Sequence, residues 1–125
     1  GKLVLVNSVI QFAVTGAFAP DATLDISGTQ IWGNTIQALN GGKVTITNSQ
    51  LHGNFVSAIG HGSSIVMTNV GEARNGTPGF VCSSPDGIPP NVGGVPLCNP
   101  QNPINQCSKF VATNGATITG APPCL

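Results

Sequence analysis

Apolar and small polar residues alternate in short runs that recur along the chain at an almost constant interval. The stretch GGKVTITNSQLHGN (41–54) sets Val44 and Ile46 against Thr45 and Thr47, breaks at Asn48 and resumes at Leu51. Alternation with period two predicts a half-buried strand, and the polar break predicts a corner before the next one. The unit occurs earlier as ATLDISGTQIWGN (22–34) and later as SSIVMTNVGEARN (63–75).

Laid out by repeat, the first inward column holds Leu3, Leu24, Val44 and Ile65, at spacings of 21, 20 and 21. Two residues on stand Leu5, Ile26, Ile46 and Met67, and then Asn7, Gly28, Asn48 and Asn69, residue types that accept a left-handed backbone at a corner. Ile10, Ile31 and Leu51 form another apolar column, followed by a polar corner at Asn34 and Asn54. A third apolar group (Ile36 and Val56, Ala38 and Ala58, Leu39 and Ile59) precedes the glycines at Gly41, Gly42 and Gly62. Each period thus predicts three short strands and three corners.

No apolar stripe of period 3.6 runs through these segments, so a helical repeat is excluded. The pattern fits a coil whose strands lie parallel on their own copies, about 4.8 Å apart, with neighbouring turns sharing one core. Like residues then lie over like. Identical corners predict asparagine ladders, in which stacked amides donate and accept in register, at Asn7, Asn48 and Asn69 and at Asn34 and Asn54. The predicted core is Leu3, Leu5, Leu24, Ile26, Val44, Ile46, Ile65, Met67, Ile31 and Leu51.

Turn length, apolar columns and corner asparagines resemble the right-handed parallel β-helix, the fold family typified by pectate-lyase-like proteins. The resemblance is architectural and covers residues 2–70 and again 109–120; no catalytic motif contributes to it. It implies an all-β chain, a single right-handed parallel β-helix or β-solenoid of about four to five rungs of 20–21 residues.

Residues 71–108 break the pattern with seven of the ten prolines and three of the four cysteines, which predicts an inserted loop pinned by disulfides. KFVATNGATITGA (109–121) then resembles IQALNGGKVTITNS (36–49), with Asn114-Gly115 matching Asn40-Gly41 and Thr117-Ile118-Thr119 matching Thr45-Ile46-Thr47. That segment is expected to be a final partial rung, with 122–125 as a tail. The whole chain, 1–125, is expected to be one domain.

Cys82, Cys98, Cys107 and Cys124 lack the paired spacing of a zinc site and are read as two disulfides, hence an extracellular or cell-surface protein in an oxidising compartment. Cys82–Cys98 with Cys107–Cys124 is the preferred pairing, but the count permits three. Gly1-Lys2-Leu3 does not have the shape of a signal peptide, which suggests a chain processed or excised before Gly1. No run approaches the length of a membrane span. The four basic and four acidic residues cancel, which gives nothing to attract nucleic acid. A charged fraction of 6%, far below the roughly 25% of ordinary domains, predicts a surface made to associate.

No constellation carries catalysis, and no metal or cofactor is called for. Asp25 is a lone outward carboxylate where β-helix lyases and hydrolases would need a cluster. Asp21 beside Pro20 reads as a turn cap, Glu72 with Arg74 as an exposed ion pair, and His61 as solvated. His52 follows inward Leu51 and is expected outward, stacked near Trp32, where the two rings would grip a sugar or an adjoining subunit, or form an ordinary exposed stack. Outward Thr45, Thr47, Thr68 and Thr119 suggest an ice-binding array, broken by Val4, Val6, Asp25 and Val66. Asn75-Gly76-Thr77 is a formal N-glycosylation triplet.

Val4 and Val6 make the first turn apolar outward, Phe12, Ala13, Val14, Ala17 and Phe18 continue that character, and neither terminal stretch supplies a covering helix. The expected surface contacts are therefore Val4, Val6, Trp32, His52, Thr45 and Thr47. The expected function is an extracellular structural subunit that self-associates, or packs on a neighbouring surface protein, end to end or laterally into a filament, sheath or surface structure. The alternative is a carbohydrate-binding or polysaccharide-lyase-like module with a glycan partner; an ice-binding surface and an adhesin fragment rank below it.

Overall fold

The computed structural model describes residues 1–11, 13–72 and 108–122, with Gln11 and Trp32 described by backbone alone. These residues form parallel strands and no helix. The first turn comprises β1 (Lys2–Val6), β2 (Val9–Gln11) and β3 (Val14–Ala17); the second comprises β4 (Thr23–Ser27), β5 (Gln30–Trp32) and β6 (Thr35–Leu39). Then come β7 (Lys43–His52), β8 (Phe55–Ile59), β9 (Ser64–Glu72), β10 (Lys109–Thr113) and β11 (Thr117–Thr119). The chain is a β-solenoid of about three turns. One sheet joins β1-β4-β7-β5-β2, with β9 on β7 and β11 on β9; the other runs β10-β8-β6-β3. In β7 and β9 the two strands expected on either side of a corner merge into one continuous strand.

Register follows the side-chain columns. Leu3, Leu24, Val44, Ile65 and Ile118 are consecutive partners, as are Leu5, Ile26, Ile46 and Met67. A one-residue slip would turn every one of these side chains to the opposite face, so the shared core enforces the register. Leu24, Ile26, Val44, Ile46, Ile65, Met67, Ile31 and Leu51 are all buried, together with Ile36, Ala38, Val56 and Ala58 of the second sheet.

The corner between the first two sides of each turn is made by Asn7, Gly28, Asn48 and Asn69, with φ of 49, 57, 49 and 53°. Asparagine tolerates this left-handed conformation because its short amide bonds locally, and glycine because it has no Cβ. The chain keeps its ladder through the bend: Asn7 donates its N–H to Ser27 O, and Gly28 to Thr47 O.

Three expectations need correction. Ile118 pairs with Ile65 and so belongs to the column of Val44, not that of Ile46. The matching left-handed pairs Asn40-Gly41 and Asn114-Gly115 set the distance from corner to first core residue, and that geometry outweighs the identity of the two Thr-Ile-Thr triplets. Leu3, expected in the core, is 50% exposed. It lies in the correct column, but its strand β1 pairs on one side only among the described residues, so Leu24 covers just one of its faces. Leu5 on the same strand is only partly buried. The loop expected over 71–108 starts later than that, because Gly71 and Glu72 continue β9 and pair with Gln50 and Leu51; residues 73–107, with Cys82, Cys98, Cys107, Arg74 and the Asn75 triplet, and Cys124 lie outside the described residues.

Candidate assembly surface

Three kinds of polar column run along the stack, two at corners and one between them. At the first, Asn69 Nδ2 donates to Asn48 Oδ1 at 2.8 Å, the amide-to-amide ladder expected from stacked identical corners. Gly28 separates Asn7 from that pair, and a Cβ added at Gly28 would run into Asn7 Oδ1.

At the second corner the amides do something else. Asn34 Oδ1 accepts the backbone N–H of Ala13 at 2.7 Å, and Asn34 Nδ2 donates to Ile10 O at 2.9 Å. One turn on, Asn54 Oδ1 accepts from the Asn34 N–H at 3.0 Å and Asn54 Nδ2 donates to Ile31 O at 2.8 Å. The expected ladder between Asn34 and Asn54 is thus a side-chain-to-backbone column. Both residues are wholly buried, and an inward amide gains more by satisfying the orphaned peptide groups of the bend than by pairing with another amide. The position then passes to Ser108, whose Oγ accepts the Asn54 N–H at 3.0 Å.

Between these corners runs a hydroxyl column that the apolar pattern did not bring out. Thr29 Oγ1 donates to Ser27 O and accepts the Ser8 N–H at 3.4 Å; Ser49 Oγ donates to Thr47 O and accepts the Thr29 N–H at 3.1 Å. Its signal was present in the recurrence of Ser8, Thr29 and Ser49 at the repeat spacing. Ser8 Oγ donates to Val6 O at 2.9 Å in the same way. It stands on the edge turn, so its acceptor side is presented where a further turn's N–H would arrive.

Around Ser8 the edge is apolar. Val4, Val6, Val9, Val14 and Phe18 are exposed, Val14 to 67%, and Ile10 is only partly buried. Strands β1, β2 and β3 each have a partner on one side only among the described residues.

The remaining candidates fall elsewhere. Lys2 Nζ lies 3.3 Å from Asp25 Oδ2, and Gly1 N lies 3.9 Å from Asp21 Oδ2; both are surface pairs of small energetic weight. Thr45 and Thr47 are half-buried, in register with Asp25 and Ser27 on one side and Val66 and Thr68 on the other. His52, expected outward and exposed, is in register with Trp32 but only 4% exposed. Alternation from Leu51 sets the direction of a side chain and not what packs over it. His61 is exposed, against Gly115. Glu72 is half-buried, in register with Leu51, and accepts hydrogen bonds from Ser108 and Gly53. Among the described residues no three His, Cys, Asp or Glu side chains gather as a metal site. No helix of the described residues is long and apolar enough to cross a membrane.

No protein-family model, curated protein or solved structure matches this chain.

Proposed function

We propose that the chain is a structural subunit of an extracellular assembly, a right-handed β-solenoid of four to five rungs that stacks through the β1–β2–β3 edge on a second copy to build a filament, sheath or surface layer. The observation that carries this reading is the contrast within one column: Leu24 is wholly buried, while its register partner Leu3 is half exposed. An apolar column that runs open along an edge strand is a template for another strand. A heterologous edge-to-edge contact that does not close generates a fibre. The low charge and near-zero net charge remove the repulsion that keeps soluble domains apart.

The extracellular placement draws on the four cysteines, read as two disulfides pinning the inserted loop. A glycan-facing role draws on the register of Trp32 over His52. It is the secondary reading, because a buried imidazole offers little to a ligand in solvent and Asp25 is engaged by Lys2.

Sedimentation velocity over a concentration series tests the proposal. The wild-type protein is expected to shift to larger species as concentration rises, and Leu3→Asp with Val14→Asp to remain monomeric. A wild-type protein that sediments as one monomeric boundary at every concentration would refute stacking.

A further inference from the structure

Glu72 ends β9 in register with Leu51, which places a carboxylate next in the column of Ile10, Ile31 and Leu51. Its Oε1 accepts three donors: the backbone N–H of Ser108, the Ser108 hydroxyl at 2.9 Å and the backbone N–H of Gly53 at 3.3 Å. Ser108 in turn receives the Asn54 N–H. One oxygen therefore ties together the end of β9, the turn between β7 and β8, and the residue that leads into β10.

Ser108 occupies the corner position held by Asn54 one turn earlier and Asn34 two turns earlier, immediately before a strand of the second sheet. Its short side chain supplies the acceptor for Asn54 but has no amide to hold it in place, as Asn34 Nδ2 and Asn54 Nδ2 do through Ile10 O and Ile31 O. Glu72 provides that anchor from the neighbouring strand. Charged acceptors make the stronger hydrogen bonds, and a protonated carboxyl loses acceptor capacity by becoming a donor.

We infer that Glu72 is an acid-released clasp, which as a carboxylate fixes Ser108 and so seats β10 and β11 on the stack, and on protonation lets these two strands detach while the earlier turns hold. The sign follows from the donors: the contribution is present when Glu72 is ionised and is lost as pH falls. Of the strands around it, β7 brings His52 and, at its far end, Lys43; β10 brings Lys109; β5, β8 and β11 bring no charged or titratable residue. His52 is the one histidine on these strands, so its substitution is the control.

Hydrogen–deuterium exchange, corrected for the intrinsic pH dependence of exchange, reads the clasp directly. Between about pH 7 and about pH 2, protection of residues 109–119 is expected to fall severalfold, while residues 23–27 and 43–47 keep theirs. Glu72→Gln is expected to show reduced protection of 109–119 already at neutral pH with no further acid response, and His52→Gln to respond as wild type does. Equal protection of 109–119 at the two pH values in the wild-type protein would overturn the inference, and that comparison stands even where a variant fails to fold. An acid response that survives in Glu72→Gln or disappears in His52→Gln would overturn it as well.

Discussion

The buried side chain of Asn54 holds the backbone of Asn34, twenty residues earlier, by accepting its N–H at Oδ1 across 3.0 Å. The same amide donates to Ile31 O, so one side chain closes two peptide groups that the bend between β5 and β6 would otherwise leave without partners. A tight corner inside a parallel stack cannot be closed by the strand ladder alone. Here the next turn supplies the missing groups.

Asn54→Ala leaves a buried N–H and a buried carbonyl unmade, each worth about 1–3 kcal/mol, and is expected to cost about 2–4 kcal/mol in urea denaturation. Asn69→Gly is the comparison. It keeps the left-handed φ of 53° at no steric cost and loses only an exposed amide bond to Asn48, for a loss under about 1 kcal/mol. Equal losses would show that the buried column is not the stabilising one.

Two glycines separate a backbone clash from a side-chain one. A Cβ at Gly16 would run into the carbonyl oxygen of Gln37 on the adjacent strand, which cannot move without breaking the ladder, whereas a Cβ at Gly71 would meet only the amide end of Gln50. Gly16→Ala is expected to lower the midpoint of thermal unfolding by several degrees or to prevent folding, and Gly71→Ala to shift it by roughly 2 °C or less.

Ser57 lies in register between Gln37 and Val111, and its buried Oγ has no hydrogen-bond partner among the described residues. Removing an unsatisfied hydroxyl recovers its desolvation cost, so Ser57→Ala is expected to stabilise the protein by about 1 kcal/mol in the same urea experiment. A loss of stability would show that the hydroxyl is satisfied in solution.

The columns were legible in the sequence wherever side-chain type and backbone demand coincide. Leu24, Val44 and Ile65 recur because each must face the same core, and Asn48 and Asn69 because few residues accept a positive φ. What period-two alternation does not encode is the covering of a side chain once its direction is set. His52 is buried although alternation turns it away from the core, and Leu3 is half exposed although it belongs to the core column. The anchoring of Ser108 was equally hidden, because Glu72 beside Arg74 reads locally as a surface pair, and only the register with Leu51 reveals where its carboxylate goes.

Leu24 and Leu3 also give an energetic contrast within one column. Leu24→Ala is expected to cost about 2–5 kcal/mol and Leu3→Ala under about 1.5 kcal/mol at concentrations low enough for the protein to be monomeric. The gap should narrow at high concentration, where stacking would cover Leu3.

The most direct measurement of the proposed role is electron microscopy of the purified protein at neutral pH across a wide concentration range. Stacking through the β1–β2–β3 edge predicts filaments one solenoid wide that lengthen with concentration and are absent in Leu3→Asp with Val14→Asp. Strictly monomeric particles at the highest concentration would contradict it.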